Sequence, residues 1–456
     1  MFLTIHRNAE SWYNSSIVGT LDPQSRRLEF SKEIVMIKNG ALSVVAGLFG
    51  ILANFIGSAG EAQVVEGQAV DANGAPQYIV DPFWPKPLPN RWSMQQVVGI
   101  WVDDMDHVWF LNRGRAALPI ELAAEPGPEA ALCCVRGPEV IELDQEGNVV
   151  NAWGGPGYHP LWPTYLQTVI ADSQGFVWIG GEAAQDSILK FTRDGEFVWD
   201  FDHRPPRLGT DADNRTSQTP ENNQDVDTIV NVGRFQLDEV ANEIYIIDQK
   251  RVTVFDASTG EFKRGWGGHG MPLSEISNEP IAGYTWEGGP PPDERNFAPT
   301  LHFIEISRDR RVYIGERGQN RIQVFTTDGD WLQNIYVSPN TPAQRGRCGG
   351  LREDPASPMP VGTFYSSICG TMYKMIISKD PEQRYLFVAD AHNDVIWTVD
   401  RLSGETLGHF GGNGRLAGQL HFPNAIGIDT YGNIFVGEVD TAKRIQKFAP
   451  VMAGGR

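Results

Sequence analysis

Between Leu301 and Phe325, large apolar and polar residues alternate in three short runs, LHFIEI, VYIGE and RIQVF. The polar turns SRDRR and RGQN separate them. Alternation with a period of two marks a strand with one buried face. A fourth run, WLQNIYV, follows the turn TTDGD, where Asp-Gly supplies a residue tolerant of positive φ. The pattern recurs along the chain. It is read in VVGIWVDDMDHVWFLNR with VIELDQEGNVVNAW, and in SQGFVWIGG with SILKFTRDGEFVWDF. It returns in FQLDEVANEIYIIDQKRVTVF, in MIISKDPEQRYLFVADAHNDVIWTV and in AIGIDTYGNIFVGEVDTAKRIQKF. The aromatic residues of the second runs align as Trp109, Trp178, Tyr245, Tyr313, Phe387 and Phe435. Six such four-stranded units predict an all-β fold, a six-bladed β-propeller over residues 95–450. The last unit shows three strands, so a strand near Tyr78–Val80, within the arm 63–94, is expected to complete it and remove the free edges.

Strand parity places the long segments 114–139, 203–231, 267–297 and 338–369 on one face, here called the top, while the bottom turns are short. Long loops gathered on one face of a rigid ring predict a lidded site at the channel mouth. Aligning the blades on the turn after the first strand places Val98, Gln167, Gly233, His302, Tyr373 and Asn424 at equivalent positions around that mouth. The ends of the second strands surround them with Arg113, Glu316, Arg317, Asp390 and Glu438. Of these, His302, Tyr373 and Arg317 are the expected catalytic groups. His302 would give or take a proton near neutral pH. Gln167, Asn424, Arg113, Asp390 and Glu438 are the expected ligand contacts, with Arg113 or Arg317 meeting an anion. The carboxylates of Glu316, Asp390, Glu438 and Asp440 also suit calcium. His107, His203, His269 and His409 fall in turns or insertions and read as exposed. Trp162 lies in a loop and reads as a stacking surface for a ligand.

The runs NRIQVF, DSILKFTRDG and KRIQKF resemble NHL repeats, and the likeness covers nearly the whole chain after residue 95. Within that group, TLHFIEISRDRRVYIGERGQNRIQVF is similar to a metal-binding blade of the peptidyl-α-hydroxyglycine α-amidating lyases. VADAHNDVIW resembles a run of their last blade, here in blade five. The resemblance implies a channel site in which three histidines hold zinc and leave one position open for substrate. His302 matches one of them. Gln167 stands where the first belongs, and Asn424-Ala425 replaces a His-Asp pair. A relative with altered channel chemistry is therefore expected. A non-catalytic scaffold whose top loops hold a peptide, glycan or protein partner is the alternative.

Charge and leader narrow the setting. Lys and Arg number 38 against 57 Asp and Glu, a net charge of −19. Such a surface repels phosphate backbones and argues against a nucleic-acid partner. The segment 1–62 precedes the repeats. Within it Met36 opens MIKNG, an apolar run spans 41–57, and SAGEA supplies small residues. These features predict a start at Met36, cleavage after Ala62 and a periplasmic or secreted protein. An uncleaved anchor is the one route to the membrane. Export favours disulfides. Cys348 and Cys369 would close a loop whose entropy is worth about 3 kcal/mol. Cys133 and Cys134 would pair with each other or with that second pair. No CxxC occurs, which disfavours a cysteine metal site.

Overall fold

The computed structural model describes residues 65–114, 132–182, 187–201, 222–277 (except 228, 230, 231, 233 and 249), 295–297, 301–341 and 371–454. All lie in one compact unit, Glu61–Arg456. Six four-stranded antiparallel sheets form the blades. Their innermost strands are Gln96–Val102, Tyr165–Ala171, Phe235–Asp238, Leu301–Ile306, Met372–Ile377 and Pro423–Ile428. These strands wall a central channel, and the outermost strands are exposed at Val150, Phe197, Phe262 and Trp331. The six-bladed all-β architecture is the one the repeats predict.

Packing follows the alternation. The second strands are buried along nearly all of their length, with Trp109, Tyr245, Tyr313 and Phe387 at 0 % exposure, because both faces meet neighbouring blades. Blade six takes its fourth strand from Tyr78–Asp81, which runs antiparallel to Ile445–Pro450 with Tyr78 opposite Pro450. Tyr78 then packs its ring against Phe387 and Phe410 of blade five. Ring closure thus joins a strand that precedes blade one to the last blade and covers the edge of Ile445–Pro450.

Bottom turns are built on a carboxylate. Asp103 accepts backbone N–H bonds from Met105 and His107, and its other oxygen accepts the Trp109 indole N–H at 3.0 Å. Asp172 repeats this arrangement with Gln174, Phe176 and Trp178. Neighbouring blades are tied on this face by polar contacts: Thr430 donates to Asp106, Arg310 pairs with Asp238, and Arg401 pairs with Asp309 at 2.8 Å. Residues 115–131, 202–221, 278–294 and 342–370 make up most of the four long segments. The expected lid therefore lies largely outside the described residues, as do the leader 1–62, Gly233, Cys348 and Cys369.

Candidate functional site

Five inner strands break their ladder at the same level, near the top. Leu166 pairs with Gly181 and Thr168 with Gly180, so Gln167 is an extra residue. His302 is extra between Leu301 and Phe303, Tyr373 between Met372 and Lys374, and Asn424 between Pro423 and Ala425. In blade one the irregularity takes in Val98 and Gly99. A bulge bends the strand and re-aims its side chain. The described positions among those aligned from sequence are thus the bulged residues, and they line the channel together. Glycines accommodate the bend. A Cβ on Gly315 would stand 2.2 Å from the Phe303 ring, and one on Gly437 would stand 2.5 Å from the Val97 side chain.

His302 is 8 % exposed. Its Nδ1 lies 2.6 Å from the Tyr373 carbonyl oxygen, which can only accept, so Nδ1 carries the proton. Nε2 is then the basic nitrogen, and it makes no hydrogen bond among the described residues. Burial, followed by the charges of Arg234 and Arg317, holds the His302 pKa well below its ordinary value. The ring is neutral. It meets Tyr373 edge-on at 4.8 Å, and Tyr373 meets Phe422 at 5.1 Å. The Tyr373 hydroxyl is buried without a well-formed hydrogen bond, and burial raises its pKa while adjacent Arg317 opposes the rise. The Arg317 guanidinium sits 5.0 Å from the Tyr373 ring centre and forms no ion pair among the described residues. Two residues on, Gln319 is fully buried with neither amide atom hydrogen-bonded.

The channel encloses about 210 Å³ from this level downward and carries a polar chain across three blades. Gln236 donates to Glu305 at 2.8 Å, and Lys374 pairs with the same carboxylate at 3.0 Å. Arg234, Glu305 and Lys374 were not picked out from sequence; the inward direction of Glu305 and Lys374 depends on the bulges at His302 and Tyr373. Arg113 is buried, donates to Gln96 and the Leu166 carbonyl, and lies 3.8 Å over the Tyr165 ring.

Other expected groups are engaged in holding loops. Asp390 accepts from the His392 and Asn393 backbones, the Asn393 amide and the Trp397 indole. Glu438 accepts from Arg444, Gln446 and the His421 backbone. With their oxygens so occupied, these two do not make an oxygen cage for calcium. Around His302 the remaining donors are the neutral amides of Gln167 and Asn424, within the field of three cations. That set does not fit zinc, which needs several imidazole, thiolate or carboxylate ligands. Among the described residues one three-ligand cluster occurs, on the bottom face: Asp103, His107 and Glu142. Arg193 already fills it, pairing with Asp103 at 3.0 Å and with Glu142. The reading of His107 as exposed is thereby corrected: it is half-buried, 2.5 Å from Glu142. Trp162 is likewise not a ligand surface, being buried beside Trp153 and bonded to Glu139.

Cys133 and Cys134 are free thiols, so the vicinal bond is not formed here. The sequence reading passed over His421, whose Nε2 is 2.8 Å from Asp440 at the top of blade six. It is visible only as HFPN ahead of the last repeat.

No family model matches the chain, and no curated protein does. Solved structures do. A structural-genomics protein of unknown function from Bacteroides thetaiotaomicron matches with a TM-score of 0.45 and 15% identity, over 78% of this chain and 70% of its own. A streptogramin B lyase matches with a TM-score of 0.41 and 12% identity, over 82% of this chain and 98% of its own. An inactive variant of virginiamycin B lyase from Staphylococcus aureus, solved with quinupristin, matches with a TM-score of 0.39 and 14% identity, over 83% and 88%.

Proposed function

We propose that this is an exported propeller that binds a small anionic molecule, or the acidic end of a peptide, at the top mouth of its channel. The observation that carries this reading is Arg317. It is a cation without an ion pair among the described residues, beside a neutral histidine and an unsatisfied tyrosine hydroxyl. In a chain of net charge −19, Arg234 and Lys374 line the channel and the Arg317 charge acts with theirs on His302, while Glu305 offsets only Lys374, which favours an anion at this mouth. In this reading Arg317 meets the negative group, the Tyr373 hydroxyl donates to the ligand, and the Nε2 of His302 accepts from it. Gln167 and Asn424 offer amides that both donate and accept.

The basic Nε2 of a neutral imidazole also suits proton abstraction, so a lyase-like enzyme without the three-histidine zinc set is the catalytic form of the same site. The NHL and amidating-lyase likeness of the sequence motifs supports that form, and a scaffold for a protein or glycan partner is the non-catalytic one. Calorimetric titration with succinate, and with a short peptide bearing a free C-terminal carboxylate, tests the reading. Binding is expected to weaken with added salt and to be lost in Arg317→Gln. Binding that is equal in the variant, or absent in the wild type for every anion tried, refutes it.

A further inference from the structure

We propose that Cys133 and Cys134 form a redox modification site: a surface dithiol that hydrogen peroxide closes to a vicinal disulfide. Both thiols are free, Cys133 is exposed and Cys134 is half-buried. The Cys134 thiol is held above its ordinary pKa by its neighbour Cys133 and by burial, while the Arg91 charge opposes that rise. The raised pKa keeps Cys134 a thiol and leaves the exposed Cys133 as the attacking sulfur. An exposed thiol beside an adjacent protonated one is the arrangement of an attacking and a resolving cysteine.

The flanks decide which way the chain gives when the bond closes. On the C-terminal side, Val135 and Arg136 pair in parallel with Trp92 and Ser93. That ladder has no slack, since a Cβ on Gly114 would lie 2.7 Å from the Arg136 side chain and one on Gly137 would lie 3.1 Å from Trp92. On the N-terminal side, Leu132 is 90 % exposed, and its carbonyl accepts one bond from Arg91 Nη1 at 3.0 Å. Closing the ring between adjacent cysteines requires the peptide between them to turn. The ladder resists that turn, so Leu132 moves and its contact with Arg91 is given up.

The chemistry balances with one peroxide. The Cys133 thiolate attacks the peroxide oxygen, giving a sulfenic acid and hydroxide. The Cys134 thiol then displaces the sulfenic oxygen as water, its proton completing that water. Two thiols and one hydrogen peroxide give one disulfide and two waters. The oxidant gains two electrons and the sulfurs lose them.

The test uses the reduced full-length protein and one equivalent of hydrogen peroxide, followed by alkylation, trypsin and mass spectrometry. Residues 116–136 form one tryptic peptide holding both cysteines and no others, so Cys348 and Cys369 do not interfere. That peptide is expected to lose the mass of two hydrogen atoms and to regain it with dithiothreitol. Cys134→Ser should instead accumulate a sulfenic acid that dimedone captures at Cys133, and Cys133→Ser should show little capture at Cys134. A peptide that stays fully alkylatable, a direct passage to sulfinic acid in the wild type, or a crosslink from Cys133 to Cys348 or Cys369 overturns the proposal. A single-serine variant that fails to fold leaves the wild-type peptide mass as the deciding measurement.

Discussion

Replacing His302 with Gln keeps a side chain able to donate to the Tyr373 carbonyl and removes the titrating ring. In the unfolded chain a histidine takes a proton near pH 6.5. In the folded chain, burial and then the Arg234 and Arg317 charges hold the His302 pKa well below that value. As pH falls, the unfolded state therefore binds the proton first. The stability tied to the neutral ring is complete above about pH 6.5 and is lost as pH drops from there toward the folded pKa. The slope within that window is at most about 1.4 kcal/mol per pH unit. With roughly 2.1 cal/mol/K of unfolding entropy per residue over about 400 residues, one such unit moves Tm by less than about 2 °C. Urea unfolding at matched pH is therefore the better assay, paired with NMR of ring-labelled histidines assigned through the variant. The stability advantage of the wild type over His302→Gln should shrink as the solution is acidified. The His302 ring should keep its Nδ1–H form while exposed histidines titrate. A pH-independent difference, or a His302 resonance that titrates at the ordinary value, would show that the ring is neither desolvated nor pressed by the two arginines.

Glu316 and Arg321 are both fully buried and bonded at 2.7 Å, so Glu316→Ala should cost about 3–5 kcal/mol in urea unfolding by stranding the guanidinium. A Glu316→Leu/Arg321→Met double variant should recover much of that loss. Gly315→Ala drives a methyl group into the Phe303 ring. It should cost about 1–3 kcal/mol, and it should weaken anion binding as well, because Phe303 directly follows the bulged His302. A Gly315→Ala protein with wild-type stability would mean that blade four shifts freely at its bulge.

The blades were legible because each strand is a short alternating run closed by a turn residue, and six copies leave little ambiguity. The level of the mouth was legible for the same reason: counting back from a common turn finds Gln167, His302, Tyr373 and Asn424. That these residues are bulged was not legible, because an extra residue in a strand looks like ordinary sequence until its partner is known. The inward cation Lys374 depended on that missing count. Asp390 and Glu438 look like ligand groups in sequence, and only the donors around them, among them Asn393, Trp397, Arg444 and Gln446, show how they are occupied. His107 and Arg193 are far apart along the chain and meet only through adjacent blades, so no local pattern announces their cluster.

The pairing of Tyr78–Asp81 with Ile445–Pro450 has a consequence for synthesis. The first of these strands leaves the ribosome roughly 370 residues before its partner, an interval on the order of half a minute at about 5–20 residues per second. During that time it has no sheet to join. Bringing the two strands together across an unfolded chain would cost about 5 kcal/mol in chain entropy on the logarithmic scaling; folding of the intervening blades removes most of that cost, so the ring closes last, after five blades stand. A nascent chain overtaken by a neighbour at that moment offers the bare edge of Ile445–Pro450 to a foreign Tyr78–Asp81 strand. Crowded translation would thereby turn the clasp of one molecule into a link between two.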